Sequence, residues 1–495
     1  MSEPRRDSLA LLTDLYQITM ACGYWKTGKA AREEAVFHLG FRRAPFEGGF
    51  AVACGLAPVL RFLESFRFDS DDLDYLATLV GNDDRPLFPR EFLDHLGALR
   101  LSVDVDAAPE GTVVFPHEPI LRVRGPILEA QILETALLNL INFPTLVATK
   151  AARIALAAGG APILEFGLRR AQGVDGALEA SRASFVGGAF ATSNLLAGRL
   201  HGIPVRGTHA HSWVMSFDSE LDSFLAWAEV MPGNCVFLVD TFDTLDGVCA
   251  AVEAGKRLRE GGHEMIGVRL DSGDLAWLSK EARRILDEGG FPEATIVASN
   301  DLDERLIESL VHQGAKIDVF GVGTRLVTGW DQPALGGVYK LSAVRTDGGP
   351  WEDRIKLSEQ SIKISTPGIQ QVRRFSRNGR FVADMVFDER FDPGSPAEIV
   401  DPMDPTRRMT IEETLPHEDL LVPVLRGGKR VFSPPPLAES RARTFDQLGR
   451  LHDGILRQLN PHRYPVGLER TLFDRKDELV RAARARRVEG GTAGA

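Results

Sequence analysis

Between about Ile163 and Val327, short unbroken apolar runs alternate with longer segments in which apolar residues recur every three or four positions. The runs are Pro162 to Gly167, Ile203 to Thr208, Cys235 to Asp240, Met265 to Asp271, Thr295 to Asn300 and Ile317 to Gly323. Runs without polar alternation predict parallel strands covered on both faces. The segments between them read as helices, among them Leu245 to Glu260, with Leu245, Val248, Val252 and Leu258 on one stripe, and Leu275 to Glu288. Six strand–helix units follow one another, and no GxGxxG opens a helix, so the pattern favours a βα barrel over an open dinucleotide-binding sheet.

The flanks have another rhythm. Residues 1 to about 100 read as mainly helical, and Gly111 to Gly125 reads as β structure. Beyond Gly336 short strands and turns take over, including Asp347 to Pro350 and a hairpin turn at Arg377-Asn-Gly-Arg380. The expected division is 1–125 and 336–480 as two parts of a flanking α+β domain, 126–335 as the barrel, and 481–495 as a disordered tail.

Composition narrows the class. In 495 residues, 44% hydrophobic and 26% charged is ordinary globular usage, and 58 basic against 69 acidic residues leaves −11. An acidic chain has no global field for nucleic acid or an anionic membrane, though a local basic pocket is compatible with it. The most apolar stretch, Ile132 to Ala148, is broken by Glu134, Asn139, Asn142 and Pro144, so no membrane span is expected. Asp7 and Asp14 break up a leader-like start, and a cytoplasmic protein is expected. Cys22, Cys54, Cys235 and Cys249 form no CxxC pair and read as bystander thiols.

The polar residues of the central region gather where its strands end, which in a βα barrel is a single rim. They are Arg169, His209, His211, Asp240, Asp243, Arg269, Asp271, Asp274, Ser299, Asn300, Gly321, Gly323 and Thr324. A spacing of two places His209 and His211 on the same side if the strand continues through them, with Thr208 and Ser212 adding hydroxyls. No third His or Cys stands at zinc spacing. Arg269 beside Asp271 suits an anion together with Mg2+ or a sugar hydroxyl, or else a structural ion pair. Asp243 and Asp274 read as helix N-caps, leaving Asp240 as the functional acid of its segment. Gly321-Val-Gly-Thr324 would let backbone amides approach a phosphate. By itself, Tyr16 reads as a core residue. No GxxxxGK[ST] loop is present, so any ATP must be bound by other means.

Seven segments, in order, resemble the nicotinate phosphoribosyltransferase family: Leu11-Leu-Thr-Asp-Leu-Tyr-Gln-Ile-Thr-Met20, Glu165-Phe-Gly-Leu-Arg-Arg-Ala-Gln-Gly173, Gly187-Gly with Ala191-Thr-Ser-Asn194, Gly207-Thr-His-Ala-His-Ser212, Leu238-Val-Asp-Thr-Phe-Asp243, Arg269-Leu-Asp-Ser-Gly-Asp274 and Gly321-Val-Gly-Thr324. His462-Arg-Tyr-Pro-Val466 is also similar. The resemblance implies an α/β fold, an irregular βα barrel of the type II phosphoribosyltransferase kind with a flanking α+β domain built from both ends of the chain. It also implies a homodimer with shared active sites. The implied reaction joins nicotinate to 5-phosphoribosyl 1-diphosphate with Mg2+, coupled to ATP hydrolysis, in NAD salvage.

By the same resemblance His211 is the histidine that ATP phosphorylates. Tyr16 stacks on the pyridine ring from the partner subunit, which moves it from core to site. Thr208 and Arg269 lie near nicotinate, and Arg169 near nicotinate or the nucleotide phosphate. Asp240 and Asp271 face the ribose and Mg2+, with the metal site itself left open, and Gly321, Gly323 and Thr324 face the 5-phosphate. Phe185 to Asn194 holds no acid that would retain an amide, which favours a carboxylate substrate. The alternatives are quinolinate or nicotinamide phosphoribosyl transfer, quinolinate drawing on Arg170, Arg182 and Arg206, and a non-catalytic barrel that binds a phosphorylated metabolite.

Overall fold

The computed structural model describes residues 8–394 and 396–491. The chain divides into two compact units: one takes residues up to Thr145, Ala334–Pro436 and everything from Asp446, the other Leu146–Pro333 and Leu437–Phe445. The division therefore falls at 145/146 and not 125/126, inside the helix Glu134–Ala157 and next to its internal Pro144. Among the described residues no helix is long and apolar enough to cross a membrane.

The first unit holds a seven-stranded sheet with strands from both ends of the chain. Glu33–Phe41 is one of its interior strands, antiparallel to both Gly337–Thr346 and Pro119–Pro126. A strand at Glu33–Phe41 corrects the helical expectation for residues 1 to 100. Its run Ala35-Val-Phe-His-Leu is buried on both faces, so it carries no alternation that would mark it as β. A second, six-stranded sheet of this unit contains the expected hairpin: Gln370–Arg377 pairs with Arg380–Asp388 through Asn378 and Gly379, both at positive φ (51° and 79°) as a two-residue turn requires. The expected disordered tail is corrected up to Gly491, because the helix Arg470–Gly491 runs through it; residues 492–495 lie outside the described residues.

The second unit is built on six parallel strands in the spatial order Ala191–Thr192, Ile163–Glu165, Val319–Val322, Thr295–Ala298, Gly267–Leu270, Val236–Leu238. This order is cyclic. The strands follow one another around the sheet in chain sequence, and the last, Val319–Val322, bonds back to the first, Ile163–Glu165, which is the winding of a barrel. A single bridge from Thr192 to Val205 extends one edge, and the ladder stays open between Val205 and Val236.

Ile203 to Thr208, expected as a full strand, contributes only that bridge, and the two-residue strand Ala191–Thr192 takes the place beside Ile163–Glu165. Val268, Leu270, Ile296, Ala298 and Val322 have no exposed surface, consistent with a sheet covered on both faces. The helices Thr244–Glu260 and Leu275–Glu288 start where their caps put them. Asp243 accepts from the N–H groups of Leu245 and Asp246, and Asp274 from those of Ala276 and Trp277. Each cap contributes about 1 kcal/mol and accounts for two of the rim acids without invoking chemistry.

Candidate active site

Of the remaining rim residues, Arg269, Asp271, Asp240 and Ser299 join, with Thr208 and Ser272, into one hydrogen-bonded cluster. Arg269, on Gly267–Leu270, is its hub. Its guanidinium donates to Ser299 Oγ (2.8 Å), Thr208 Oγ1 (3.0 Å) and Asp271 Oδ1 (2.8 Å), and lies 5.5 Å from the centre of the Phe166 ring. Ser299 also donates to Asp271. Burial opposes ionisation of Asp271, but the Ser299 hydroxyl and the Arg269 guanidinium outweigh it and hold the carboxyl below its usual range. Arg269 and Asp271 are thus paired with each other, which fixes the direction of Asp271 Oδ2.

Asp240 is fixed just as firmly. Its Oδ2 accepts from the Asp271 N–H (2.8 Å) and from Ser272 Oγ (2.7 Å). Its Oδ1 is buried and has no hydrogen-bond partner among the described residues. A buried carboxylate oxygen left unpaired costs about 1–3 kcal/mol, so its presence points to a ligand that completes it.

His211 faces both acids. It opens the short helix His211–Val214, its side chain is 40% exposed, and Nε2 lies 3.9 Å from Asp240 Oδ1 and 3.8 Å from Asp271 Oδ2. Nδ1 sits 3.2 Å from Thr241 Oγ1. This accessible imidazole, oriented by a hydroxyl and flanked by two fixed carboxylates, can act as nucleophile or base.

His209 has a different task, and the expectation of a common face is corrected because no strand continues through these residues. It is 5% exposed, packs against Trp227, Phe224 and Phe237, and its Nε2 accepts the N–H of Leu238 (3.3 Å). Leu238 ends the edge strand beside the open ladder, so this imidazole supplies an acceptor where a neighbouring strand would have. Burial pushes its pKa down to about 4 and keeps it neutral.

The glycine of the last strand, Gly321, serves close packing. A Cβ on Gly321 would sit 2.7 Å from the Phe166 ring and 3.3 Å from Ser299 Cβ, so Gly321 makes room for the ring under Arg269. Gly323 and Thr324 lie at the start of the short helix Thr324–Val327. Arg169 is exposed on the turn Leu168–Arg170 and forms no ion pair among the described residues. Tyr16 belongs to the first unit, on the helix Leu15–Lys26, and is 48% exposed, which corrects its bare reading as core.

Several contributors were not singled out from the sequence. Glu165 is fully buried and accepts from Ser181 Oγ (2.8 Å), Thr192 Oγ1 (2.6 Å) and the Gly167 N–H, tying the first strand to its neighbour and to the turn that carries Arg169. A lone carboxylate inside an apolar strand was the available signal. Thr241 and Glu220 follow from the acidic strand end: burial, against a hydrogen bond from the Thr241 N–H, lifts Glu220 to about 7, with Asp240, Asp243 and Asp246 adding repulsion. No group of three or more metal-ligating side chains occurs among the described residues, so a cation here would rest on Asp240 and Asp271 together with ligand oxygens.

Comparison with known proteins places this cluster in context. A family model described as the nicotinate phosphoribosyltransferase family matches residues 162–352, and models of that enzyme's N-terminal and C-terminal domains match 11–142 and 369–476. The chain is 41% identical over 491 residues to nicotinate phosphoribosyltransferase of Bacillus subtilis, covering 97% of both chains. The crystal structure of human nicotinic acid phosphoribosyltransferase aligns with a TM-score of 0.81 at 35% identity, covering 94% of this chain and 99% of that one. A nicotinate-nucleotide pyrophosphorylase from Pyrococcus furiosus shares the fold, with a TM-score of 0.68 at 22% identity over 91% of this chain and 98% of its own.

Proposed function

Since the chain belongs to the nicotinate phosphoribosyltransferase family, we propose that the rim cluster joins nicotinate to 5-phosphoribosyl 1-diphosphate, giving nicotinate mononucleotide and diphosphate, with ATP hydrolysis coupled through His211. On this reading the second unit is the irregular βα barrel of the type II phosphoribosyltransferases, open between Val205 and Val236. The observation that carries the proposal is the half-exposed His211 held between the unpaired Asp240 Oδ1 and Asp271 Oδ2.

With Nδ1–H donated to Thr241, the Nε2 lone pair is presented for attack on the γ-phosphorus of ATP. The N–P bond forms, the bond to the bridging oxygen breaks, and ADP leaves with that electron pair. Hydrolysis of the phosphohistidine then couples to turnover. In phosphoribosyl transfer the bond from the anomeric carbon to diphosphate breaks, positive character develops on the sugar, and the ring nitrogen of nicotinate attacks; Asp240 and Asp271 supply the opposing charge.

Mg2+ fits this donor set, because it binds through one or two carboxylates plus substrate phosphates and needs no closed protein cage. Asp240 and Asp271 would hold it, and when bound it neutralises the charge of the departing diphosphate. Gly321, Gly323 and Thr324 receive the 5-phosphate. Thr208 and Arg269 border the nicotinate, Arg169 supplies an unshared positive charge for a carboxylate or phosphate, and the partner subunit's Tyr16 stacks on the pyridine ring in a homodimer.

The test is transfer of label from [γ-32P]ATP. Acid-labile, base-stable label is expected on the wild-type chain and absent from a folded His211→Ala chain; label retained on His211→Ala would assign the phosphorylation to another residue.

A further inference from the structure

One helix of the second unit holds His211 from two sides. The helix Glu220–Val230 packs against the short helix His211–Val214, and Trp213 Nε1–H donates to the Ser223 carbonyl at 3.1 Å, so the backbone that carries His211 is tied to it. Its first residue, Glu220, accepts the Thr241 N–H on its carboxyl, and the Thr241 hydroxyl lies 3.2 Å from His211 Nδ1. The same helix therefore fixes both the stem of the imidazole and the group that orients its ring.

Glu220 stands where an acid has little to gain for stability. Burial, with repulsion from Asp240, Asp243 and Asp246, opposes its charged form, and its Oε1 is buried with no hydrogen-bond partner among the described residues. The carboxyl also has no room to turn away. Gly247, on the helix Thr244–Glu260, is buried against it: a Cβ there would sit 3.1 Å from Glu220 Oε2 and closer still to the Val239 carbonyl oxygen. The carboxyl is thus enclosed behind the end of the strand Val236–Leu238, where its bond to the Thr241 N–H sets the turn that follows Asp240.

We propose that Glu220 is a positioning residue for His211: by holding the Thr241 N–H it fixes the threonine hydroxyl that keeps the imidazole proton on Nδ1 and leaves the Nε2 lone pair facing Asp240 and Asp271. Which ring nitrogen of a histidine carries the proton is set by the hydrogen bond the ring makes. Once the Thr241 turn is released, Nδ1 loses its acceptor, the proton passes to Nε2, and the lone pair that would attack phosphorus no longer faces the two acids. Glu220 acts through Thr241 and not on substrate. For its consequence in catalysis the inference rests on the phosphohistidine reading, whereas the state of the ring is a property of the resting chain.

The experiment reads the full-length resting chain first, without ATP. Long-range proton–nitrogen spectra of protein carrying isotope-labelled histidine, taken at about pH 8 where an ordinary imidazole is neutral, report which nitrogen bears the proton, and His211→Ala identifies the signals. Wild type shows mainly the Nδ1–H form. In Glu220→Ala the ratio shifts toward Nε2–H by about tenfold, the worth of one ordinary hydrogen bond. Glu220→Asp, one methylene too short to reach the Thr241 N–H, gives the same shift with the charge retained, which keeps the test open if the alanine chain does not fold. Glu220→Gln, whose amide oxygen still accepts that N–H, stays within about twofold of wild type. Thr241→Val shifts the ratio as Glu220→Ala does, and the double variant shifts it no further, because both changes break one linkage. Label transfer from [γ-32P]ATP falls in the same order. A wild type with the Nδ1–H form that takes no label refutes the phosphohistidine and leaves this inference standing. A wild-type ratio in Glu220→Ala and Glu220→Asp, or shifts that multiply in the double variant, overturns it.

Discussion

Asp240→Asn separates the stability of the rim from its chemistry. The asparagine carbonyl can keep both bonds that Asp240 Oδ2 now accepts, from the Asp271 N–H and Ser272 Oγ, while its amide takes the place of the unpaired Oδ1. The side chain is 1% exposed, so removing its charge relieves part of a burial cost of about 1–3 kcal/mol. A net gain of about 1 kcal/mol raises the unfolding midpoint of a unit this size by about 2–4 °C. Activity moves the other way. Asp240 Oδ1 lies 3.9 Å from His211 Nε2, where a unit charge acts on another with about 4 kcal/mol at an effective dielectric of about 20. Losing that interaction in the transition state lowers kcat about a thousandfold. Thermal unfolding followed by circular dichroism, and kcat for nicotinate at saturating co-substrates, measure the two effects on one preparation. A lower unfolding midpoint with kcat within about threefold of wild type would refute the reasoning, because Asp240 would then be an ordinary structural acid.

His209→Ala is expected to have the opposite profile. It removes the acceptor for the Leu238 N–H and the packing against Trp227, so urea unfolding should show a loss of about 2–4 kcal/mol, while the folded fraction still takes label from ATP; a stable but unlabelled variant would return His209 to the chemistry. Acid stability provides a third check, through His38 in the first unit. Its Nε2 accepts the Gln370 N–H, and burial, with Arg122 nearby, lowers its pKa to about 3. The folded value lies below the unfolded 6.5, so the unfolded chain binds the extra proton in between; this stability is whole above pH 6.5 and is lost as pH falls toward 3. Between pH 6.5 and 5 the first unit should lose about 2 kcal/mol through this group. In His38→Gln that part of the acid limb flattens, and an unaltered limb would contradict the assignment.

The parallel strands and their helices were legible because each leaves a strong local signal. Unbroken apolar runs mark Val236–Leu238, Gly267–Leu270, Thr295–Ala298 and Val319–Val322, and Asp243 and Asp274 stand where helix caps belong. What escaped was set by tertiary context. Ala191–Thr192 is too short to show a period, and Ile203 to Thr208 has strand-like composition but a ladder partner only at Val205. Glu33–Phe41 carries no alternation because both its faces are covered. At the site, residue types at strand ends pointed to Arg269, Asp271, Asp240 and His211. The split between His209 and His211 could not be read from a spacing of two, since it depends on the chain leaving the strand before His209 and on which imidazole meets the edge at Leu238.

The central claim is ATP-coupled phosphoribosyl transfer to nicotinate at His211 and its two acids. Its most direct test is the rate of nicotinate mononucleotide formation from 5-phosphoribosyl 1-diphosphate with and without ATP, in wild type and His211→Ala, with quinolinate and nicotinamide as competing acceptors. The expected result is a wild-type rate on nicotinate that rises with ATP, no such rise in His211→Ala, and little product from the other two acceptors. ATP-independent use of quinolinate, or an equal response to ATP in both chains, would contradict it.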